Sequence, residues 1–159
     1  MFQYTVWFFH HFFQSPILFF FNIIIHSKNV IIIFFFKVFS QKEYQNKIQN
    51  LFNLFNSKKF SEAENEVKNL IILYPNDFLL ENIYGVILSA QHRYDESLIH
   101  LKRVIDLNKN FVEGYYNIGT VYLKLSKYKE AIDFFKTSID LKKDYFDAYI
   151  NLSEAYKRL

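Results

Sequence analysis

Cysteine is absent from this chain of 159 residues, and glycine and proline are scarce, with three and two copies. Without cysteine the chain has no disulfide, no thiolate nucleophile and no sulfur ligand for a metal. Three scattered glycines cannot build a glycine-rich phosphate loop, because such a loop needs several of them close together. The composition therefore excludes several classes of catalytic and cofactor site.

Charge of either sign is nearly absent from the first forty residues. They contain two lysines, Lys28 and Lys37, and no acid, whereas residues 41–159 carry 17 basic and 16 acidic residues. The net charge of the chain is only +3, and its basic residues are interspersed with acids, which argues against nucleic-acid binding. The two parts differ in their content of charged residues, and we therefore divide the chain into two regions at residue 40.

The first part, residues 1–40, is a hydrophobic leader that holds twelve of the twenty phenylalanines. Residues 17–36 have the length to span a bilayer, but His26 and Lys28 lie near their centre and oppose insertion. Two interpretations stay open: a membrane anchor, or a non-native leader translated from AT-rich DNA upstream of the true start. We expect the rest of the chain in the cytoplasm, and the lysines after the leader favour that side if it inserts.

The second part, residues 41–159, repeats with a period of 34. A step of 34 residues leads from Gly119 back to Gly85, and the same step leads from Tyr128 to Tyr94. Within each unit, apolar residues at spacings of three and four give two helices one apolar stripe each. A fixed period without insertions is the signature of stacked helix pairs, which bury their stripes against one another. The sequence predicts an all-α chain.

One unit, residues 112–145, is better formed than the others. It combines small and aromatic residues in the order Gly119, Tyr122, Ala131 and Phe135, and it has Lys143 at its end. In this pattern the chain resembles the tetratricopeptide repeat family, which places a proline at the last of these positions. The structural positions that the resemblance implies are Ala63, Pro75, Gly85, Gly119, Tyr122, Ala131 and Phe135.

The resemblance implies a right-handed superhelical solenoid of antiparallel helix pairs. Its units would lie at about 44–77, 78–111 and 112–145, followed by a terminal helix at 146–159. In such arrays the first helices of the pairs line a concave groove that binds peptides. The candidate groove residues here are Ile48, Phe52, Phe55, Leu79, Asn82, Val86, Tyr116, Thr120, Leu123 and Lys124.

The groove predicts a protein-interaction scaffold that has no catalytic activity and needs no cofactor or metal. Because the groove would be apolar toward its start, we expect a partner that offers an apolar segment. The carboxylate clamp of chaperone-binding relatives is not expected, since Ile48 and Phe52 stand where two of its polar residues would be. Two alternatives stay open: the non-catalytic front of a larger enzyme such as a transferase, and a membrane-tethered adaptor.

Local patterns add expectations about helix ends and exposed residues. Ser61, Asp77 and Asp95 are each placed to cap the start of a helix, and Pro75 ends the helix before it. The acids at 62, 64 and 66 are typical of a solvated helix face, and we expect the histidines at 92 and 100 on the surface. We expect the terminal helix to cap the stack, with one face inward and the other in water. The inward residues would be Tyr149, Leu152, Tyr156 and Leu159, and the outward residues Asn151, Glu154, Lys157 and Arg158.

Overall fold

The computed structural model describes residues 29–159. Within this range it contains seven α-helices and no strand, which confirms the predicted all-α class. The helices are α1 (Asn29–Asn56), α2 (Phe60–Leu73), α3 (Phe78–Ala90), α4 (Tyr94–Leu107), α5 (Val112–Lys124), α6 (Tyr128–Leu141) and α7 (Phe146–Arg158). One compact unit comprises Gln45–Leu159, which includes the end of α1 and every later helix.

Most of the predicted leader, and most of the candidate span at 17–36, lies outside the described residues. Among the helices that are described, none combines the length and the apolar character needed to cross a bilayer. Helix α1 begins at Asn29, before the start of the first unit predicted at about 44–77. No proline or glycine interrupts the residues between 29 and 56, so nothing in this stretch ends the helix early.

From α2 onward, each helix packs chiefly against its neighbours in the sequence, and α5 also touches α3 and α7. This stacking of antiparallel pairs is the predicted right-handed solenoid. Two glycines lie at the closest approaches within the pairs. A Cβ added at Gly85 would lie 2.6 Å from Leu101 Cγ, and one at Gly119 would lie 2.7 Å from Phe135 Cε1. The absence of a side chain at these two positions lets the paired helices approach.

The turns between the helices of each pair share one geometry, with Lys58, His92 and Ser126 at positive φ angles of 57°, 63° and 59°. These residues are 34 positions apart. In each turn the next amide donates to a carbonyl five residues back, as in Lys59 N–H to Leu54 O at 2.9 Å. This is the Schellman motif that ends many helices. Glycine usually occupies the left-handed position of this motif. Because these turns have no glycine at that position, the sequence did not predict the motif.

We predict that Lys58→Gly raises the free energy of unfolding by about 0.5 to 1 kcal/mol, because a left-handed conformation strains any residue with a Cβ. Lys58 is exposed, so the substitution removes little else. Chemical denaturation of the full chain measures the change. Lys58→Ala removes the same charge but keeps the Cβ, and a stabilisation of equal size in that variant would contradict the account.

The helix starts confirm one predicted cap and correct two. Asp77 caps α3, and its carboxylate accepts from the backbone N–H groups of residues 79 and 80 at 2.9 and 3.3 Å. The expectations for Ser61 and Asp95 were wrong, since the N-cap residues of α2 and α4 are Lys59 and Arg93, two positions earlier, and neither makes a side-chain capping hydrogen bond. Because the Schellman turn is tight, the second helix of each pair begins directly after it. Ser61 and Asp95 therefore already lie in the first turns of α2 and α4.

The predicted faces of the terminal helix are corrected in part: Leu152 packs inward and Lys157 and Arg158 are exposed, as expected, but the other three residues predicted to face inward are not buried. Tyr149, Tyr156 and Leu159 are exposed to 45%, 51% and 62%, whereas Ala148 and Ala155 are fully buried. The buried face of α7 therefore carries alanines that pack against α6, and the aromatic residues turn away from it. The reason is the repeat itself, because Tyr149 and Tyr156 correspond to residues that face the following helix in the preceding unit.

Two buried serines on second helices differ in their hydrogen bonding. The Ser97 hydroxyl donates to the Gly85 carbonyl oxygen at 2.7 Å. Ser138 is equally buried, and its hydroxyl has no hydrogen-bond partner in the described part of the chain. A buried hydroxyl without a partner destabilises the folded state.

We predict opposite effects when these two serines are replaced by alanine. Ser138→Ala should raise the free energy of unfolding by about 1 kcal/mol, because it removes an unpaired hydroxyl. Ser97→Ala should lower it by about 0.5 to 1.5 kcal/mol, because it removes a hydrogen bond. Urea denaturation of both variants gives the comparison, and changes of the same sign would contradict the hydrogen-bond assignment.

Candidate functional site

The first helices of the pairs are residues 45–56 of α1, followed by α3, α5 and α7. We call the surface that these helices share the first-helix face. Hydrogen bonds join these helices across the repeats. The Asn117 amide donates to Asn82 Oδ1 at 2.9 Å, and the Asn151 amide donates to Tyr116 Oη at 3.1 Å. Each bond joins residues 35 positions apart, so the repeat itself brings polar groups into a row.

A cleft of about 110 Å³ lies on this face between α1, α3 and α5. Lys124 lies at the cleft, donates from Nζ to Ser89 Oγ at 3.2 Å, and sits 6.0 Å from the centre of the Tyr94 ring. The cleft combines apolar walls with a few hydroxyl and amide groups and one cation. Its lining residues are Phe55, Val86, Ser89, Ala90, Leu101, Asn117, Thr120, Val121 and Lys124.

Aromatic packing fixes the end of the first-helix face near α7. The Tyr116 ring lies 5.9 Å from Phe135 and 5.1 Å from Tyr145, centroid to centroid. Burial, reinforced by the negative charge of Glu113, raises the pKa of Tyr145 to about 12. The Tyr145 phenol therefore stays neutral at physiological pH, and Tyr116 is held by rings on two sides.

A sequence model of one family, described as Tetratricopeptide repeat, matches residues 112–145. Residues 112–145 are a tetratricopeptide repeat. The match covers α5 and α6, the pair in which Gly119 lies against Phe135. The predicted resemblance is therefore confirmed for the unit that is best formed in sequence.

Solved structures place the whole stack in the same fold. The chain superposes on the Sgt2 tetratricopeptide domain of Aspergillus fumigatus with a TM-score of 0.69 and 11% identity, over 73% of this chain and 78% of that one. The Arabidopsis OM64 tetratricopeptide domain gives 0.68 and 16%, over 72% and 95%. The first such domain of Spaghetti (RPAP3), bound to the HSP90 peptide SRMEEVD, gives 0.65 and 16%, over 69% and 86%.

A curated relative is similar in sequence over a shorter stretch. The Hsp70-Hsp90 organizing protein of Triticum aestivum is 27% identical over 71 residues, which are 45% of this chain and 12% of that protein. This chain therefore spans a small part of the relative's length. The similarity therefore concerns a small part of the relative and not the relative as a whole.

The stack of helices brings only some of the predicted groove residues together. Phe55, Val86, Thr120 and Lys124 line the cleft described above, and Asn82 accepts a hydrogen bond from Asn117, which also lines it. Leu123 instead packs against the buried cluster that contains Phe135, and Tyr116 packs there with one edge on the face. Ile48 is half-buried, whereas Phe52 and Leu79 are exposed to 49% and 39%.

Two asparagines of the first-helix face, Asn117 and Asn151, were not among the predicted groove residues. Their signal was the spacing of amide residues at 82, 117 and 151, one in the first helix of each unit. Asn151 was expected to face water, and the structure instead places its amide within reach of Tyr116 and Thr120. Among the described residues, no group of three or more histidine, aspartate or glutamate side chains is arranged to hold a metal.

The acid Glu64 was expected on a solvated helix face, and this was wrong, since it is only 9% exposed. Its carboxylate accepts from Lys68 Nζ at 2.6 Å and from Arg93 Nη1 at 2.8 Å. Burial alone would raise the pKa of Glu64, but hydrogen bonds from Lys68, Arg93 and Gln91 lower it to about 2. Glu64 thus ties α2 to the turn that precedes α4.

A second buried acid explains the position of His100, which was expected to be an ordinary surface residue. Glu81 is 3% exposed, and its two oxygens lie 2.7 Å from His100 Nδ1 and 3.0 Å from Arg103 Nε. The His100 ring also lies 4.2 Å from the Tyr84 ring, centroid to centroid. His100 is therefore a partner of a buried carboxylate between α3 and α4.

Proposed function

We propose that this chain is a non-catalytic protein-interaction scaffold that binds a peptide segment on its first-helix face. The observation that supports this most directly is the row of hydrogen-bonded polar side chains beside an apolar cleft on that face. A surface whose side chains are already held by one another loses little entropy when a ligand binds. One structural relative, the first tetratricopeptide domain of Spaghetti (RPAP3), is bound to a peptide, which is consistent with this proposal.

The chemistry of the face suggests what the peptide offers. Asparagine side chains both donate and accept hydrogen bonds, so Asn82, Asn117 and Asn151 suit the peptide backbone of a ligand. Phe52 on α1 and Leu79 on α3 are exposed apolar residues of first helices. Exposed apolar residues beside a cleft commonly mark a binding site. We therefore propose a ligand with apolar side chains and an extended backbone.

The acidic peptide SRMEEVD, which one structural relative binds, provides a contrast. Lys124 is the one basic residue that lines the cleft, and the apolar Phe52 lies on the same face. A single cation matches the charge of a peptide with several carboxylates poorly. We therefore propose that this chain prefers apolar peptides to SRMEEVD.

Selection from a random peptide library, with the full chain as bait, tests the proposal. The selected peptides should be enriched in apolar residues, and unlabelled SRMEEVD should compete with them poorly. An enrichment in acidic peptides, with efficient competition by SRMEEVD, would contradict the proposed ligand but not the proposed surface. No enrichment of any sequence class would contradict the surface as well.

A further inference from the structure

Lys124 is a cation at the wall of the cleft that has no acidic partner. Other basic residues of the stack meet carboxylates, and Arg93 is an example, since its Nη1 lies 2.8 Å from Glu64 Oε2. Across residues 29–159 no carboxylate pairs with Lys124, which is exposed. A charge that the fold leaves without a counter-charge is available to a ligand of opposite charge.

Two neighbours hold the Lys124 side chain at this position. Its Nζ donates to Ser89 Oγ at 3.2 Å and lies 6.0 Å from the centre of the Tyr94 ring. Ser89 is only 7% exposed, so its hydroxyl is a fixed acceptor rather than a mobile surface group. An ammonium group has three N–H donors, and the bond to Ser89 uses one of them. Lys124 is therefore positioned and still able to donate to a ligand.

The cleft beside Lys124 has room for one aliphatic side chain. Its volume is about 110 Å³, and Val86, Leu101 and Val121 contribute to its apolar walls. An apolar cavity of about 150 Å³ is large enough to bind benzene in another protein. The smaller cleft therefore fits the side chain of valine, leucine or isoleucine better than an aromatic ring.

We propose that the cleft selects peptides in which an aliphatic residue and an aspartate or glutamate are separated by one residue. This inference rests on the proposed function, because it names the ligand of the same surface. Side chains two residues apart in an extended segment point to the same side and lie about 7 Å apart. The aliphatic side chain occupies the cleft, and the carboxylate accepts a hydrogen bond from Lys124 Nζ.

The course of the peptide backbone favours a side-chain carboxylate over the carboxyl terminus of the ligand. The hydrogen bond from Asn117 to Asn82 joins α5 to α3, and the bond from Asn151 to Tyr116 joins α7 to α5. This polar row continues beyond the cleft toward α7. A ligand backbone that follows the row passes the cleft and does not end in it.

Selection from a random peptide library, with charge-reversed variants of the full chain as additional baits, tests the inference. The native chain should enrich peptides with aspartate or glutamate two positions from valine, leucine or isoleucine. Lys124→Glu should enrich lysine or arginine at that position instead. Lys102→Glu is the matched control and should select the same peptides as the native chain, because Lys102 is exposed on α4 and does not line the cleft.

A peptide chosen by the native chain allows a second measurement. Replacing its acidic residue by the corresponding amide should weaken binding to the native chain by about fivefold, the size expected for an exposed ion pair. The same replacement should leave the affinity for Lys124→Gln unchanged, because that variant has no cation at the cleft. An equal loss of affinity in the native chain and in Lys124→Gln would overturn the inference.

Two forms of the library, with free and with amidated C-termini, separate the two sources of a carboxylate. Enrichment of the acidic residue in both forms supports the inference. Enrichment of apolar peptides without it, or only with a free C-terminus, would overturn the inference and leave the proposed function intact. The same holds if Lys124→Glu selects the same peptides as the native chain. No enrichment in either form would contradict the proposed function, and the inference would fail with it.

Discussion

Phe135→Ala is expected to lower the free energy of unfolding by about 3 to 5 kcal/mol. The Phe135 side chain is fully buried, and it packs with Ala131, Ile132 and Ala155 between α5, α6 and α7. Its ring also fills the space over Gly119. Replacing the Phe135 ring by a methyl group leaves a cavity at the junction of three helices. The surrounding backbone cannot fill this cavity without separating the packed helices.

The next residue along the chain gives a matched control for this prediction. Phe134 is half-buried and stacks on Tyr122 at a centroid distance of 5.5 Å, so Phe134→Ala removes the same atoms from a more open site. Guanidinium denaturation of the two variants should show the smaller loss for Phe134→Ala. A loss in Phe134→Ala as large as that in Phe135→Ala would mean that the faces of α6 are assigned incorrectly.

Gly119 extends the test to the fit between paired helices. Gly119→Ala should cost about 1 to 3 kcal/mol in the native chain, because the new Cβ would lie 2.7 Å from Phe135 Cε1. In the Phe135→Ala background the same substitution should cost much less, since the ring is gone. A double-mutant cycle measures this coupling, and additive effects would contradict the direct contact.

The second large effect concerns acid stability. Glu64→Gln should destabilise the chain by about 2 to 3 kcal/mol at pH 7, because the pKa of Glu64 is lowered to about 2 from an ordinary value of 4.5. A carboxyl group whose folded pKa lies below its unfolded pKa stabilises the fold above the unfolded value. That contribution is lost as the pH falls from about 4.5 to 2. The stability difference between native chain and variant should therefore shrink over this range.

Urea denaturation at several pH values between 7 and 2 measures the effect of Glu64. Glu62→Gln is the control on the same helix, because Glu62 pairs with Lys59 in a salt bridge that is more than half exposed. Exposed pairs contribute little, so this variant should differ from the native chain by about 0.5 kcal/mol or less. A difference for Glu64→Gln that stays constant with pH would show that its charge is not what stabilises the fold.

Much of this fold was predictable from the sequence because the same helical pattern recurs in each 34-residue unit. The 34-residue period fixed the helix pairs, and Asp77 and Pro75 marked a helix start and a helix end with residues suited to no other local role. What escaped prediction depended on contacts across helices. Glutamate usually lies on the surface, so the sequence predicted an exposed Glu64. Only the folded chain brings Arg93, in the turn before α4, within hydrogen-bond distance of Glu64.

The predicted faces of α7 failed for a related reason. Periodicity shows that a helix has an apolar stripe, but it does not show which of two neighbours that stripe meets. In α7 the alanines at 148 and 155 face the stack together with Leu152, whereas Tyr149 and Tyr156 are exposed. Alanine is a weak hydrophobic signal in sequence, although its small size suits the close contact that the stack requires.

The central claim is that a peptide binds on the first-helix face. The affinity of one library-selected peptide tests this claim most directly. Phe52→Glu and Thr120→Glu put a charge on that face, whereas Ile72→Glu puts the same charge on α2, where Ile72 is 77% exposed. We predict that each of the first two variants weakens binding by about tenfold or more, equivalent to about 1.4 kcal/mol, and that Ile72→Glu leaves it unchanged. Equal affinities for all three variants and the native chain would contradict the proposed binding surface.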